Sequence, residues 1–415
     1  MTTITVIGGG FAGLVAAISG AEAGAHVVLH EAHRELGGRA RATHPPYVAH
    51  QGPHVLYADG PWWAWLQERR LVGTTTGVPV RELGRFRFRH RGSLRRLPPV
   101  GVLRLLLDRS TPAPADVDFR TWVALRYGED AAAAAAGLMG VATFDADPGR
   151  LSAAFVVERM RRVYAMPPPA TYVTGGWNGL VARLAAHARA LGVDIRTGSR
   201  VTAIPAAPVV VATSLEAAQR LLGDDSLSGV PSGRAVLLDV AVRRSRRDAF
   251  VVCDLDEAGW LERFTAPDPT LAPPGESLVQ VQLPLRPDES YASGLGRVEA
   301  LVDLALPGWR ERTTWRRHSL GNARSGALDL PGRTWRDRPA VDRGHGVFLA
   351  GDMVAAPGLL SEVSFASGRL AARRAMAWAM ENGRPPSRSS GSVRCLQGAS
   401  SPVEGLDDRQ GSTRA

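Results

Sequence analysis

Hydrophobic positions near the start of the chain fall into a pattern that few supersecondary units explain. Ile4 to Ile7 is a β-branched apolar run, Gly8 to Gly13 is rich in glycine, and small apolar residues follow at helical spacing. A second apolar run, His26-Val27-Val28-Leu29-His30, then stops at Glu31. This reads as strand, turn, helix and strand, the opening of a parallel α/β sheet. Further along, residues 179–191 read as a helix that stops at Gly192, Val193 to Ile195 and Arg200 to Ile204 alternate like strands, and Pro208 to Thr213 forms another apolar run. Near the end, Gly346 to Ala350 predicts a strand and about 362–380 a helix. Two stretches interrupt this series. Residues 71–170 read as helical after a short hairpin, with Ala131 to Val141 a buried helix, and residues 231–334 carry alternating runs at Ala235 to Val242 and Ser277 to Leu285. From about 383 the chain turns to Pro, Ser, Gly and Arg without apolar periodicity, so 383–415 is expected to be a disordered tail.

The first turn carries chemistry. Gly8-Gly9-Gly10-Phe11-Ala12-Gly13 spells G-x-G-x-x-G directly after a strand and before a helix. Gly8 permits the sharp turn, Gly10 lets the backbone approach a pyrophosphate, and Gly13 lets the helix pack closely on the strand. The helix from Phe11 and Ala12 points unpaired N–H groups at that pyrophosphate. Glu31, 18 residues after Gly13, is placed to accept ribose hydroxyls and disfavours a 2′-phosphate. A dinucleotide site is the expectation.

Two further motifs extend it. Glu35-Leu36-Gly37-Gly38-Arg39-Ala40-Arg41 follows the βαβ unit, and Gly346-Val347-Phe348-Leu349-Ala350-Gly351-Asp352 lies some 310 residues later. With these the sequence resembles the superfamily of FAD-dependent amine oxidases, phytoene desaturases and protoporphyrinogen oxidase-like flavoproteins. The resemblance implies FAD, and because Cys395 falls outside any pattern for covalent flavin attachment, a non-covalent link is expected. Gly38 and Arg39 would wrap its pyrophosphate, Gly351 and Asp352 would hold the ribityl or phosphate end, and the helix carrying Val363 would aim its N-terminus at the flavin. Gly52 and Pro53 would run beside the ring, and the backbone of Val201 would meet the adenine. It also implies a discontinuous Rossmann-type FAD-binding domain, assembled from 1–70, 171–230 and 335–382. A helical cap at 71–170 and a mixed α+β, β-rich substrate domain at 231–334 would be inserted into it. Only four residues separate Ile204 from Val209, where relatives usually place a β-meander. Candidate catalytic groups are His54, near the expected ring position, and Glu362, which at the start of a helix reads as a capping acid before a base.

Composition narrows the class. At 415 residues and 45% hydrophobic the chain can bury a large core. All 50 basic residues are arginine, so no lysine can position a water at the flavin, as amine oxidases of the monoamine type usually do. Leu359-Leu360 stand where such enzymes would place an aromatic wall around a cation. Two cysteines, Cys253 and Cys395, exclude a disulfide framework and a multi-cysteine metal site. With no cleavable signal and no apolar run near ~20 residues, the expected location is cytoplasmic.

The net charge of +10 is densest at Arg85 to Arg96, where arginines alternate with phenylalanines. An edge strand guarded by charge is one reading, and an anionic ligand or a membrane surface another. No motif supports specific nucleic-acid binding. The expected function is an FAD-dependent oxidase or dehydrogenase that removes a hydride from a largely apolar small molecule, such as an isoprenoid or specialised metabolite. Oxygen or a quinone would be the acceptor. An amine oxidase with an atypical pocket and a non-catalytic binding protein like the GDP dissociation inhibitors are the alternatives.

Overall fold

The computed structural model describes residues 2–323 and 326–382. Thr3–Ile7 is the central strand of a five-stranded parallel sheet, ordered Val347–Leu349, Val209–Val211, Thr3–Ile7, His26–His30, Asp194–Arg196. Val6 lies in register with Leu29 on one side and Val210 on the other, and Val210 with Phe348. All four are buried, because helices cover both faces of a parallel sheet. The strands come from three separated stretches of chain, and their carboxyl ends lead into Gly8, Glu31 and Gly351. A crevice outside those ends is where an open α/β sheet binds ligands.

Two local expectations change. Arg200 to Ile204 is not a strand: Gly198 N–H donates to His33 O and Ser199 N–H to Glu31 O, which turns the chain across the sheet end instead of along its edge. The helix expected over 179–191 begins earlier and spans Gly176–Ala190, since the Gly175-Gly176 turn feeds directly into it.

The second sheet has seven strands, in the order Thr313–Asn322, Arg234–Arg243, Glu276–Pro284, Trp260–Arg263, Val251–Asp254, Phe86–His90, Ser93–Arg95. Tyr291–Ala305 packs on it through Val298, Leu301 and Val302. Four longer helices, Val100–Leu107, Phe119–Tyr127, Glu129–Leu138 and Ala153–Val163, form a cap around buried Phe119, Trp122 and Met139. Phe86 and Phe88 pack against this cap core, so the Arg/Phe alternation does separate two faces. The edge, however, is Ser93–Arg95, and Phe86–His90 is paired on both sides. Arg89 is bonded to the fully buried carboxylate of Asp254 at 2.8 Å. Among the described residues no helix is long and apolar enough to cross a membrane. The tail from 383 and Cys395 lie outside the described residues.

Candidate functional site

The turn after the first strand is shaped by two requirements that the structure separates. A Cβ on Gly13 would lie 1.8 Å from Gly8 O, so the fold itself demands glycine there. A Cβ on Gly10 would meet nothing nearer than Gly37 O at 3.9 Å. The space beside Gly10 is a cradle, open for a ligand. No side chain caps the helix Phe11–Glu22, and Phe11 and Ala12 line the cavity with the unpaired donors of its first turn.

Glu31 is buried at the end of the second strand. Its Oε2 accepts Gly9 N–H and its Oε1 accepts His33 N–H, both at 2.8 Å. Burial opposes its ionisation, but the hydrogen bonds from His33 and Gly9 outweigh it and hold the carboxyl below its usual range. Val201 borders the same end of the cavity with Ser199 and Thr202. Gly8, Gly38, Gly52, Pro53, Gly351 and Asp352 line it as well. Arg39 is not a free cation. Its guanidinium donates to Asp352 and to Ala323 O, tying together the two distant motifs, and its positive charge is paired with the Asp352 carboxylate.

Four expected site residues, Gly13, His54, Glu362 and Val363, do not line the cavity. Gly13 and Val363 lie behind its wall, the latter 1% exposed. His54 points away from it. Its ring is sandwiched between His50 and Phe264, each centroid 3.9 Å away, and its Nδ1 has no partner. Burial pushes its pKa down to about 3, partly opposed by a hydrogen bond with the Gly52 backbone. A neutral ring stacked between His50 and Phe264 packs the loop rather than lining the cavity. Glu362 behaves as a capping acid: Oε2 accepts Leu359 N–H at 3.1 Å and Oε1 accepts Arg162 Nη2 at 2.8 Å. Its neighbours Leu360, Ser361 and Ser364 form the wall.

From the cradle the cavity continues without a break between the cap and the second sheet, to a total of about 1360 Å³. That exceeds the ~300–1,000 Å³ of a typical single-ligand pocket. Val78, Leu83, Leu103, Leu106, Val163 and Met166 make its far walls apolar. Of the pair Leu359-Leu360, Leu360 lines the cavity, and aromatic rings come instead from Tyr57, Phe86, Tyr172 and Trp260.

One polar group in this chamber had no sequence signal. Glu262 is 2% exposed and accepts Tyr172 OH at 2.5 Å and Trp260 Nε1 at 3.2 Å. Burial raises its pKa to about 7, partly offset by those two donors. The pairing with Tyr172 spans 90 residues, which no local pattern could reveal.

A glycine-rich cradle at the strand ends, opening into a chamber between an inserted cap and a second sheet, defines a Rossmann-type dinucleotide-binding fold elaborated by a second sheet. Residues 6–69 match the model of an NAD(P)-binding Rossmann-like domain. An oxidoreductase from Methanosarcina mazei superposes with a TM-score of 0.70 at 16% identity, over 90% of this chain and 100% of its own. Cyclohexylamine oxidase from Brevibacterium oxydans IH-35A gives 0.67 at 17% identity, over 92% and 100%. Reduced UDP-galactopyranose mutase gives 0.68 at 14%, over 92% and 95%. The fold implied by the sequence resemblance is therefore the fold observed. No curated protein matches the chain.

Proposed function

We propose that this protein is an FAD-dependent oxidoreductase that takes a hydride from a largely apolar small molecule. The observation that carries the reading is the single cavity joining the dinucleotide cradle to an apolar chamber. The residues present fit FAD: the cradle at Gly10, the unpaired N–H groups of Phe11 and Ala12, and the ionised Glu31 suit a pyrophosphate and an adenosine ribose. Arg39 and Asp352 would hold its middle and Val201 its adenine end. When bound, FAD would supply the hydride acceptor, with oxygen or a quinone restoring it.

The chain's own part is positioning and exclusion of water. Gly52, Pro53, Leu360, Ser361 and Ser364 all line the cavity. The helix Ser361–Asn382 directs its positive end there, where negative charge is favoured. Loop 49–54 is fixed from outside by Arg317, whose Nη2 donates to Ala49 O and His50 O, and by Gln280, which donates to His50 O. Dehydrogenation would pass a hydride to FAD and release one proton from the adjoining carbon to solvent.

Cyclohexylamine oxidase shares this fold, and Glu262 among aromatic rings gives the amine reading a specific footing. Both Glu262 oxygens already accept hydrogen bonds, which favours the apolar reading. Anaerobic bleaching of the flavin by matched terpenoid, polyketide-like and amine compounds decides between them. Bleaching confined to small amines would promote the second reading.

A further inference from the structure

Large apolar side chains are exposed around one opening of the cavity. Leu83, Leu107 and Met166 line the chamber and yet are 52%, 80% and 80% exposed, so they form its mouth. Val80 precedes Leu83 on the same 3-10 helix, and Val100 lies two turns before Leu107 on Val100–Leu107. That helix buries Val102 and Leu105 in the cap and turns Val100, Arg104 and Leu107 outward. Exposed apolar groups gathered at one mouth mark an interaction surface rather than ordinary surface scatter.

The charge around this rim is net positive, with three unpaired arginines against the single ionised carboxylate of Asp108. Arg95, Arg96 and Arg104 are exposed and have no carboxylate partner among the described residues. Nearby acids are committed elsewhere. Glu82 is buried against Arg85 and Arg263, and Asp108 accepts from Tyr127, Ser110 and Thr111. A second copy meeting this face across a two-fold axis would set arginine against arginine. Anionic lipid headgroups complement the arginines, and the acyl boundary complements the leucines.

We propose that the cavity mouth docks on an anionic bilayer, with Val80, Leu83, Val100, Leu107 and Met166 entering the acyl boundary and Arg95, Arg96 and Arg104 meeting the headgroups. The docking stands on the rim alone; that it admits an apolar substrate from the bilayer rests on the proposed function.

The test is co-sedimentation of the full-length protein with phosphatidylcholine vesicles and with mixed phosphatidylcholine–phosphatidylserine vesicles, at low and high salt. The parent should bind the mixed vesicles more tightly. Leu83→Asp with Leu107→Asp, and separately the charge reversals Arg95→Glu, Arg96→Glu and Arg104→Glu, should each weaken binding by about tenfold or more. Leu125→Asp, at an exposed leucine of the cap outside the cavity lining, should leave it unchanged. Flavin absorbance of every variant, read in parallel, reports the FAD reading independently. Absence of parent binding at low salt would overturn the proposal. So would binding lost to the charge reversals but insensitive to the leucine changes, which is adsorption only, or a dimer in solution that the leucine changes dissociate.

Discussion

At the scale of single residues, the glycines of the first turn make the clearest contrast. Gly13→Ala forces a Cβ into Gly8 O and should destabilise the fold by about 3 kcal/mol or more, seen as a lost or strongly lowered thermal transition. Gly10→Ala has room in the protein and should keep stability within about 1 kcal/mol, while FAD binding weakens by tenfold or more on calorimetric titration. The motif made both glycines legible, but only the coordinates separate the one the fold needs from the one the ligand needs. Glu262 was illegible because its meaning lies in burial against Tyr172 and Trp260, with Cys253 nearby. Its pKa is raised from 4.5 to about 7, so between those values the native state holds a proton that the unfolded chain has released. Stability from this group therefore falls as pH rises through that window, by roughly 3 kcal/mol in full. Buried neutral His54 acts in the opposite sense, losing stability as pH falls below 6.5. The difference between the parent and Glu262→Gln isolates the carboxyl: the gap in melting temperature should shift in favour of the variant from about pH 4.5 to about pH 7. His54→Phe should retain flavin bleaching, which a catalytic histidine could not.

At the scale of elements, the arginine-rich strand Phe86–His90 shows how far periodicity reaches. Alternation correctly assigned Phe86 and Phe88 to the core and the arginines to the other face. It could not show that Val251–Asp254 adds to the strand in parallel and brings Asp254 beneath Arg89, because that pairing joins residues 165 apart. Arg89→Ala strands a buried carboxylate and should cost about 3 kcal/mol in chemical denaturation. Arg87→Ala loses only bonds to the neighbouring carbonyls of Gly84 and Phe86 and should stay within about 0.5 kcal/mol. Arg200 to Ile204 is the opposite lesson. It alternates like a strand, yet the bonds of Gly198 and Ser199 to His33 O and Glu31 O carry the chain across the sheet end, so it never pairs with the open edge of Asp194–Arg196.

At the scale of the whole molecule, the close crossing of the first and last helices unites the two sequence motifs. A Cβ on Gly368 would lie 2.5 Å from Ala12 O, at the wall of the cradle, and Arg39 reaches Asp352 across the same gap. These motifs were readable because each is local, whereas the shape of the chamber arises from cap helices and a second sheet whose contacts are distant in sequence. The walls of that chamber imply that affinity grows with apolar surface, by ~0.8 kcal/mol per buried methylene. The central claim is most directly met by an anaerobic visible-absorption titration of the purified protein with a graded terpenoid series. The account predicts stoichiometric flavin bands, released by acid, that bleach at lower concentrations of the longer and more apolar compounds. A colourless protein that cannot be loaded with FAD, or flavin that no apolar compound bleaches, would contradict it.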